Sequence, residues 1–226
     1  MRPIIKWKVG EHGVFAEYNP YSDAKLKLLE NFGNEPYYHC SYCDRVIPGV
    51  NLEVEHIQPV VLRPDLEYSW SNFLIACKNC NLAKLSQNVA PGNILLPQFQ
   101  NTWNCFTINN DGTVTADGSN TLAYNRAVNT VLLLGLDRGY NHQDRQPQDD
   151  RYNVRQHVLI LAKRALKHYE NGIPDYMTDI VHSAITNGFW YVWMKVFEAH
   201  PEVQDELIAA FNNTYIMCRT TDINRD

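Results

Sequence analysis

Between residues 40 and 84 the chain reads Cys40-Ser41-Tyr42-Cys43, then Leu52-Glu53-Val54-Glu55-His56-Ile57-Gln58-Pro59, then Trp70-Ser71-Asn72-Phe73-Leu74-Ile75-Ala76, and then Cys77-Lys78-Asn79-Cys80-Asn81-Leu82-Ala83-Lys84. Each Cys-x-x-Cys forms a tight knuckle, and two knuckles facing each other offer four thiolates to one tetrahedral ion, for which zinc is the expected metal. With Cys40, Cys43, Cys77 and Cys80 filling all four positions, no coordination site remains for water or substrate. Such an ion holds the fold and does not react. The other two cysteines, Cys105 and Cys218, stand alone and read as small buried core residues.

Working outward, 226 residues and 26.1 kDa allow one large domain or two small ones. Hydrophobic residues at 45%, with 5 Trp, 13 Tyr and 8 Phe, exclude disorder for most of the chain. No run approaches the roughly 18 apolar residues of a membrane span, and charges stand where a signal peptide would be apolar, so a soluble, cytoplasmic protein is expected. A net charge of −5 excludes a broad attraction for nucleic acid, so any such binding must be local.

An α+β organisation follows. Residues 1–35 read as an N-terminal helical segment, with Ser22 as a helix cap and Gly33 as its end. Residues 36–90 carry the cysteine-rich core. Residues 91–120 read as extended or hairpin chain around the turn Asn110-Asp111-Gly112. Residues 121–226 read as an all-helical C-terminal domain with helices near 122–136, 150–170, 174–199 and 201–217, and the nearest thing to a linker is the polar run 141–150. The third helix, with Ile180, Phe189, Trp190, Trp193 and Phe197, is too apolar for a surface helix and belongs to the core or to a partner interface.

The elements between and within the knuckles resemble the HNH endonuclease family. An acidic residue and His followed by x-x-Pro, an Asn in a Trp-x-Asn-Phe context, and a last Asn inside Cys-x-x-Cys-Asn-x-x-Lys occur in order over about fifty residues. The family's last position is often His and here is Asn81, which gives a His-Asn-Asn variant with one imidazole ligand fewer. The resemblance implies a zinc-stapled ββα-metal core, hydrolysis of phosphodiesters, and products with 5′-phosphate and 3′-hydroxyl ends. His56 would take the proton from water, as an imidazole with an ordinary pKa of about 6.5 can. Glu55 and the amide oxygen of Asn81 would hold Mg²⁺ or Mn²⁺ as hard oxygen donors, with Glu53 as an alternative or auxiliary ligand. Asn72 would fix the loop that orients the base. Glu55 and His56 are adjacent, so both serve one site only if the strand ends or bends there.

The core segment carries Arg45, Arg63, Lys78 and Lys84 against Asp44, Glu53, Glu55, Asp65 and Glu67, so it does not hold nucleic acid by charge. Lys84, one turn after Asn81, either touches a phosphate or solvates a helix face. Lys163 and Lys167 share a polar face of the 150–170 helix and are further candidate contacts. Arg155 falls on that helix's apolar face and must be paired, with Asp137 or Asp150 as partner, or reach the nuclease cleft. DNA is the expected substrate by family resemblance. The overall layout is similar to the PtuB-like HNH effectors of Septu and retron-associated anti-phage systems, which implies an ATPase partner that supplies the missing grip. An RNA- or tRNA-directed toxin nuclease and a non-enzymatic zinc-held nucleic-acid-binding module are the alternatives.

Overall fold

Pro20 starts the first helical segment with a 3-10 turn, Tyr21–Ala24, which runs directly into α1 (Lys25–Phe32). Ser22 lies inside that turn and caps nothing, because the turn's own carbonyls already serve the entering amides. Gly33 ends α1, and the ring of Tyr38 packs so close to it that a Cβ would lie 2.5 Å from Tyr38 Cδ1. This computed structural model describes residues 1–87 and 89–215; Cys218 and the end expected for the last helix lie outside them.

Two short strands, β1 (Tyr38–His39) and β2 (Val46–Ile47), pair on either side of the first cysteine knuckle. Leu52–His56 (β3) and Phe73–Cys77 (β4) then pair antiparallel, from Leu52 opposite Cys77 to His56 opposite Phe73. β4 is apolar throughout and buried along its whole length. The chain turns straight from β4 into α2 (Lys78–Lys84), with the Cys77 sulfur accepting the Cys80 amide at the helix start. Strand, loop, strand and helix thus follow in one unit, with α2 packed against β3 and β4.

The hairpin expected around Asn110-Asp111-Gly112 forms from β5 (Phe106–Ile108) and β6 (Val114–Ala116). Gly112 has φ +80°, and a side chain there would run into the Tyr152 carbonyl, so hairpin and following helix are tightly docked. Helices α3 (Tyr124–Leu134), α4 (Arg151–Glu170), α5 (Tyr176–Asn187), α6 (Trp190–Val196) and α7 (Pro201–Ala210) complete the described chain.

The single helix expected over 174–199 is two. Gly188 and Phe189 have φ of +71° and +53°, and the chain leaves the helix there to meet the first knuckle. Asp44 makes the break: its carbonyl accepts the Phe189 amide and its carboxylate accepts the Trp190 amide at 2.6 Å, capping α6. The apolar residues of this region go inward. Trp190, Trp193, Met194 and Phe197 are fully buried, which settles them in the core and not on a partner surface. The last helix also stops early, at Ala210, because Phe211 turns inward and Arg2 takes the Asn212 carbonyl and the Thr214 hydroxyl.

Replacement of Gly188 by alanine meets both an unfavourable φ and a Cβ placed 2.7 Å from the Asp44 carbonyl. The expected cost is about 1–3 kcal/mol, read as a lower urea midpoint with an unchanged slope.

Candidate active site

Four sulfurs meet where the two knuckles face each other. The Sγ atoms of Cys40, Cys43, Cys77 and Cys80 all lie within 4.8 Å of one another, and all four residues are buried. A tetrahedral ion with metal–sulfur bonds of about 2.3 Å needs sulfurs roughly 3.8 Å apart. The Cys43 and Cys77 sulfurs are 3.8 Å apart. Peptide amides of Cys77 and Cys80 point at the Cys40 and Cys77 sulfurs at 3.3 and 3.4 Å, which suits thiolates. The cluster can therefore hold a zinc ion.

β3 ends at His56, and the 57–72 loop that follows returns to start β4. Asn72 is buried and ties the loop to itself: its Oδ1 accepts the Gln58 amide at 2.8 Å, and its Nδ2 donates to the Gln58 and Leu66 carbonyls at 3.0 and 3.3 Å. The next carbonyl along, that of Glu67, lies 2.8 Å from His56 Nε2. A carbonyl only accepts, so Nε2 carries the proton and Nδ1 carries the lone pair. Burial pushes the imidazole below its ordinary value, with the Lys84 ammonium acting in the same direction and the Glu67 carbonyl opposing, which favours the neutral ring. Tyr21 and Phe73 stand edge-on to that ring at 4.8 and 5.1 Å.

His56, Glu55, Asn81 and Lys84 line one cleft of about 460 Å³, with Tyr21, Val54, residues 59–61, Leu85 and Ser86 as its other walls. Glu55 and Lys84 form its floor, with side chains only 2% and 1% exposed. Lys84 Nζ lies 2.6 Å from Glu55 Oε1 and donates to the His56 carbonyl at 2.7 Å, while the Tyr42 hydroxyl donates to Glu55 Oε2 at 2.6 Å. Lys84 therefore does not solvate a helix face; its ammonium is taken up by Glu55 and the His56 carbonyl. Burial pushes the Glu55 carboxyl above the usual carboxylate range, with Lys84 and Tyr42 pulling against it. Glu53 is exposed and accepts a hydrogen bond from Asn81 Nδ2 at 2.7 Å. Glu55 and Asn81 in the cleft, and Glu53 beside Asn81, carry the type of oxygen a hard divalent cation takes, and the Glu55 oxygen already meets a positive charge in Lys84.

Residues 40–87 match the family model of HNH endonuclease. The match begins at the first cysteine and covers both knuckles, β3, the loop, β4 and α2. An HNH endonuclease domain indicates a nuclease, a hydrolase acting on nucleic acid, and domains of this kind use divalent metals. No curated protein matches the chain.

Outside the HNH segment, Lys163 and Lys167 are exposed on α4, and neither is among the residues lining the His56 cleft; Lys163 donates to Asn110. Arg155 is buried and pairs with neither Asp137 nor Asp150. It donates to the Gly112 carbonyl and lies over the Phe189 ring at 5.4 Å, and burial lowers its pKa to about 10. Asp150 instead takes a two-pronged bond from Arg45, at 2.5 and 3.1 Å. Three supporting groups escaped the sequence reading. Tyr42 was visible as the aromatic between two ligand cysteines, whereas the Glu67 carbonyl leaves no sequence signal. Arg151, one of several basic residues on its helix, reaches into the HNH domain.

Arg151 is buried, donates to the Cys80 sulfur at 3.1 Å, and pairs with Asp149 at 2.6 and 2.8 Å while also meeting the Leu134 and Gly135 carbonyls. Removing it strands a buried carboxylate. Arg151→Met should lower unfolding free energy by about 3–5 kcal/mol and speed release of zinc to a coloured chelator. A variant with wild-type stability and wild-type release would show that the guanidinium does not support the knuckles.

Proposed function

We propose that the protein is a metal-dependent HNH endonuclease that hydrolyses phosphodiester bonds of DNA, with a structural zinc on Cys40, Cys43, Cys77 and Cys80. The observation that carries this reading is the convergence of His56, Glu55 and Asn81 on one cleft, with the imidazole proton fixed on Nε2 by the Glu67 carbonyl. A neutral imidazole with its Nδ1 lone pair is a base for the attacking water at neutral pH. Asn72 holds the loop that carries Glu67, so it positions the base without touching the substrate. Glu55 and Asn81, with Glu53 beside them, would hold Mg²⁺ or Mn²⁺. When bound, that ion supplies charge neutralisation at the phosphate and at the leaving oxygen.

The layout, similar to PtuB-like effectors with a helical part after the core, supports an anti-phage role beside an ATPase partner. The acidic balance of the core segment supports the same idea, since nucleic-acid grip must come from elsewhere, with Lys163 and Lys167 as candidate contacts. The apolar aromatics of α6 give no support to it, being buried within the chain.

Cleavage of supercoiled plasmid, linear duplex, single-stranded DNA and total RNA with Mg²⁺ or Mn²⁺ tests the reading. DNA cutting should vanish with EDTA and fall by about 10²–10⁴ in His56→Ala. Cutting confined to RNA would favour the toxin alternative, and unimpaired biological effect in His56→Ala would favour the binding module. Because burial lowers the His56 pKa, the base form persists below the ordinary value of about 6.5. Activity is therefore expected to hold as pH falls to 6.5 and to be lost only below it; an acid limb centred above 6.5 would contradict the buried base.

A further inference from the structure

Glu55 is the expected ligand of the catalytic ion, yet both of its oxygens are already partnered. Tyr42 donates to Oε2, and the Lys84 ammonium sits 2.6 Å from Oε1 while also donating to the His56 carbonyl. A carboxylate this deeply buried must be neutralised by a cation close at hand. A tethered ammonium and a divalent ion cannot share one carboxylate oxygen in a low-dielectric floor without strong mutual repulsion. One must leave when the other arrives.

The local chain lets Lys84 be the one that leaves. It is the last residue of α2, buried itself, and Leu85 directly after it has φ +48° and is exposed, so the chain leaves the helix for the surface at this point. Lys84, Leu85 and Ser86 all line the cleft, and a four-carbon stem can lift its ammonium toward water. Glu53 and Asn81, exposed or half-buried and hydrogen-bonded to each other, offer further oxygens beside the path.

We propose that Lys84 is an exchangeable internal counter-ion: it neutralises Glu55 while the divalent ion is away and swings into the cleft when the ion binds. This rests on the reading of Glu55 as a metal ligand. Exchange makes metal occupancy a competition, so the wild-type protein binds the divalent ion more weakly than its oxygen donors alone would. It also delivers a positive charge to the open cleft only once the metal is present.

The test uses the full chain loaded with zinc, so that the thiolates are occupied, and titrates Mn²⁺ by electron paramagnetic resonance of the free ion. Lys84→Met should bind Mn²⁺ at least about tenfold more tightly than wild type, because the competing charge is gone. Glu55→Gln should bind it at least about tenfold more weakly. If Glu55→Gln binds less tightly but Lys84→Met does not bind more tightly, exchange is overturned and the site reading stands. If Glu55→Gln binds as wild type does, the ion is not on Glu55, and the site reading falls with the exchange. A wild-type measurement covers the case in which Lys84→Met does not fold. Amine acetylation read by mass spectrometry should rise several-fold at Lys84 on Mn²⁺ saturation, relative to exposed Lys163, and an unchanged Lys84 signal overturns the proposal.

Discussion

Four sulfurs drawn to within 4.8 Å of one another are the constraint from which the rest of the molecule is arranged. The first pair closes a turn between two two-residue strands, and the second pair joins the end of β4 to the start of α2. Neither piece has enough apolar surface to stand alone, and strands this short carry few ladder bonds. Tying them to one point fixes where β3 runs and where α2 crosses it. The acid, the imidazole and the amide of the cleft hang on those two elements, so the sulfur cluster sets where the cleft lies without lining it.

The cleft shows how adjacent residues of one strand serve different ends. Glu55 points to the helix and is neutralised there by Lys84; His56 closes the strand and is held by a loop carbonyl. Burial acts on both. It raises the carboxyl and lowers the imidazole, and each shift favours the uncharged form. Desolvation thus favours the neutral imidazole, and it leaves the buried carboxylate dependent on the Lys84 ammonium beside it. The loop that sets the imidazole is itself set by Asn72, whose amide accepts one hydrogen bond and donates two, where a carboxylate only accepts and a hydroxyl has a single proton to give.

The cysteine spacing was legible because ligand geometry is local: two residues between sulfurs make a knuckle whatever surrounds it. His56, Asn72 and Asn81 were read from a resemblance to the HNH pattern, and the turn Asn110-Asp111-Gly112 from its own residues. What could not be read were partners fixed by distant chain. Nothing near Lys84 in sequence says that Glu55 will lie beneath it, and nothing near Arg155 says that its neighbour will be the Gly112 carbonyl and not an aspartate. The break at Gly188 looks like a tolerable helix glycine until Asp44, far upstream, arrives to cap the next helix. Periodicity reports which face is apolar. It does not report where a remote carboxylate will interrupt it.

The bonds from Arg151 to Cys80 and from Asp44 to the start of α6 cross from the HNH segment into the helical part. Their consequence concerns modularity. A nuclease cassette that evolution or an engineer could lift onto another scaffold would need its buried polar groups satisfied from within. Here the buried Asp44 carboxylate meets Arg2 and the Trp190 amide, and the buried Cys80 sulfur meets Arg151, all from outside residues 40–87. The matched segment is therefore a recognisable sequence unit but not a portable physical one, and fusions that carry residues 40–87 alone would inherit its chemistry without the architecture that aims it.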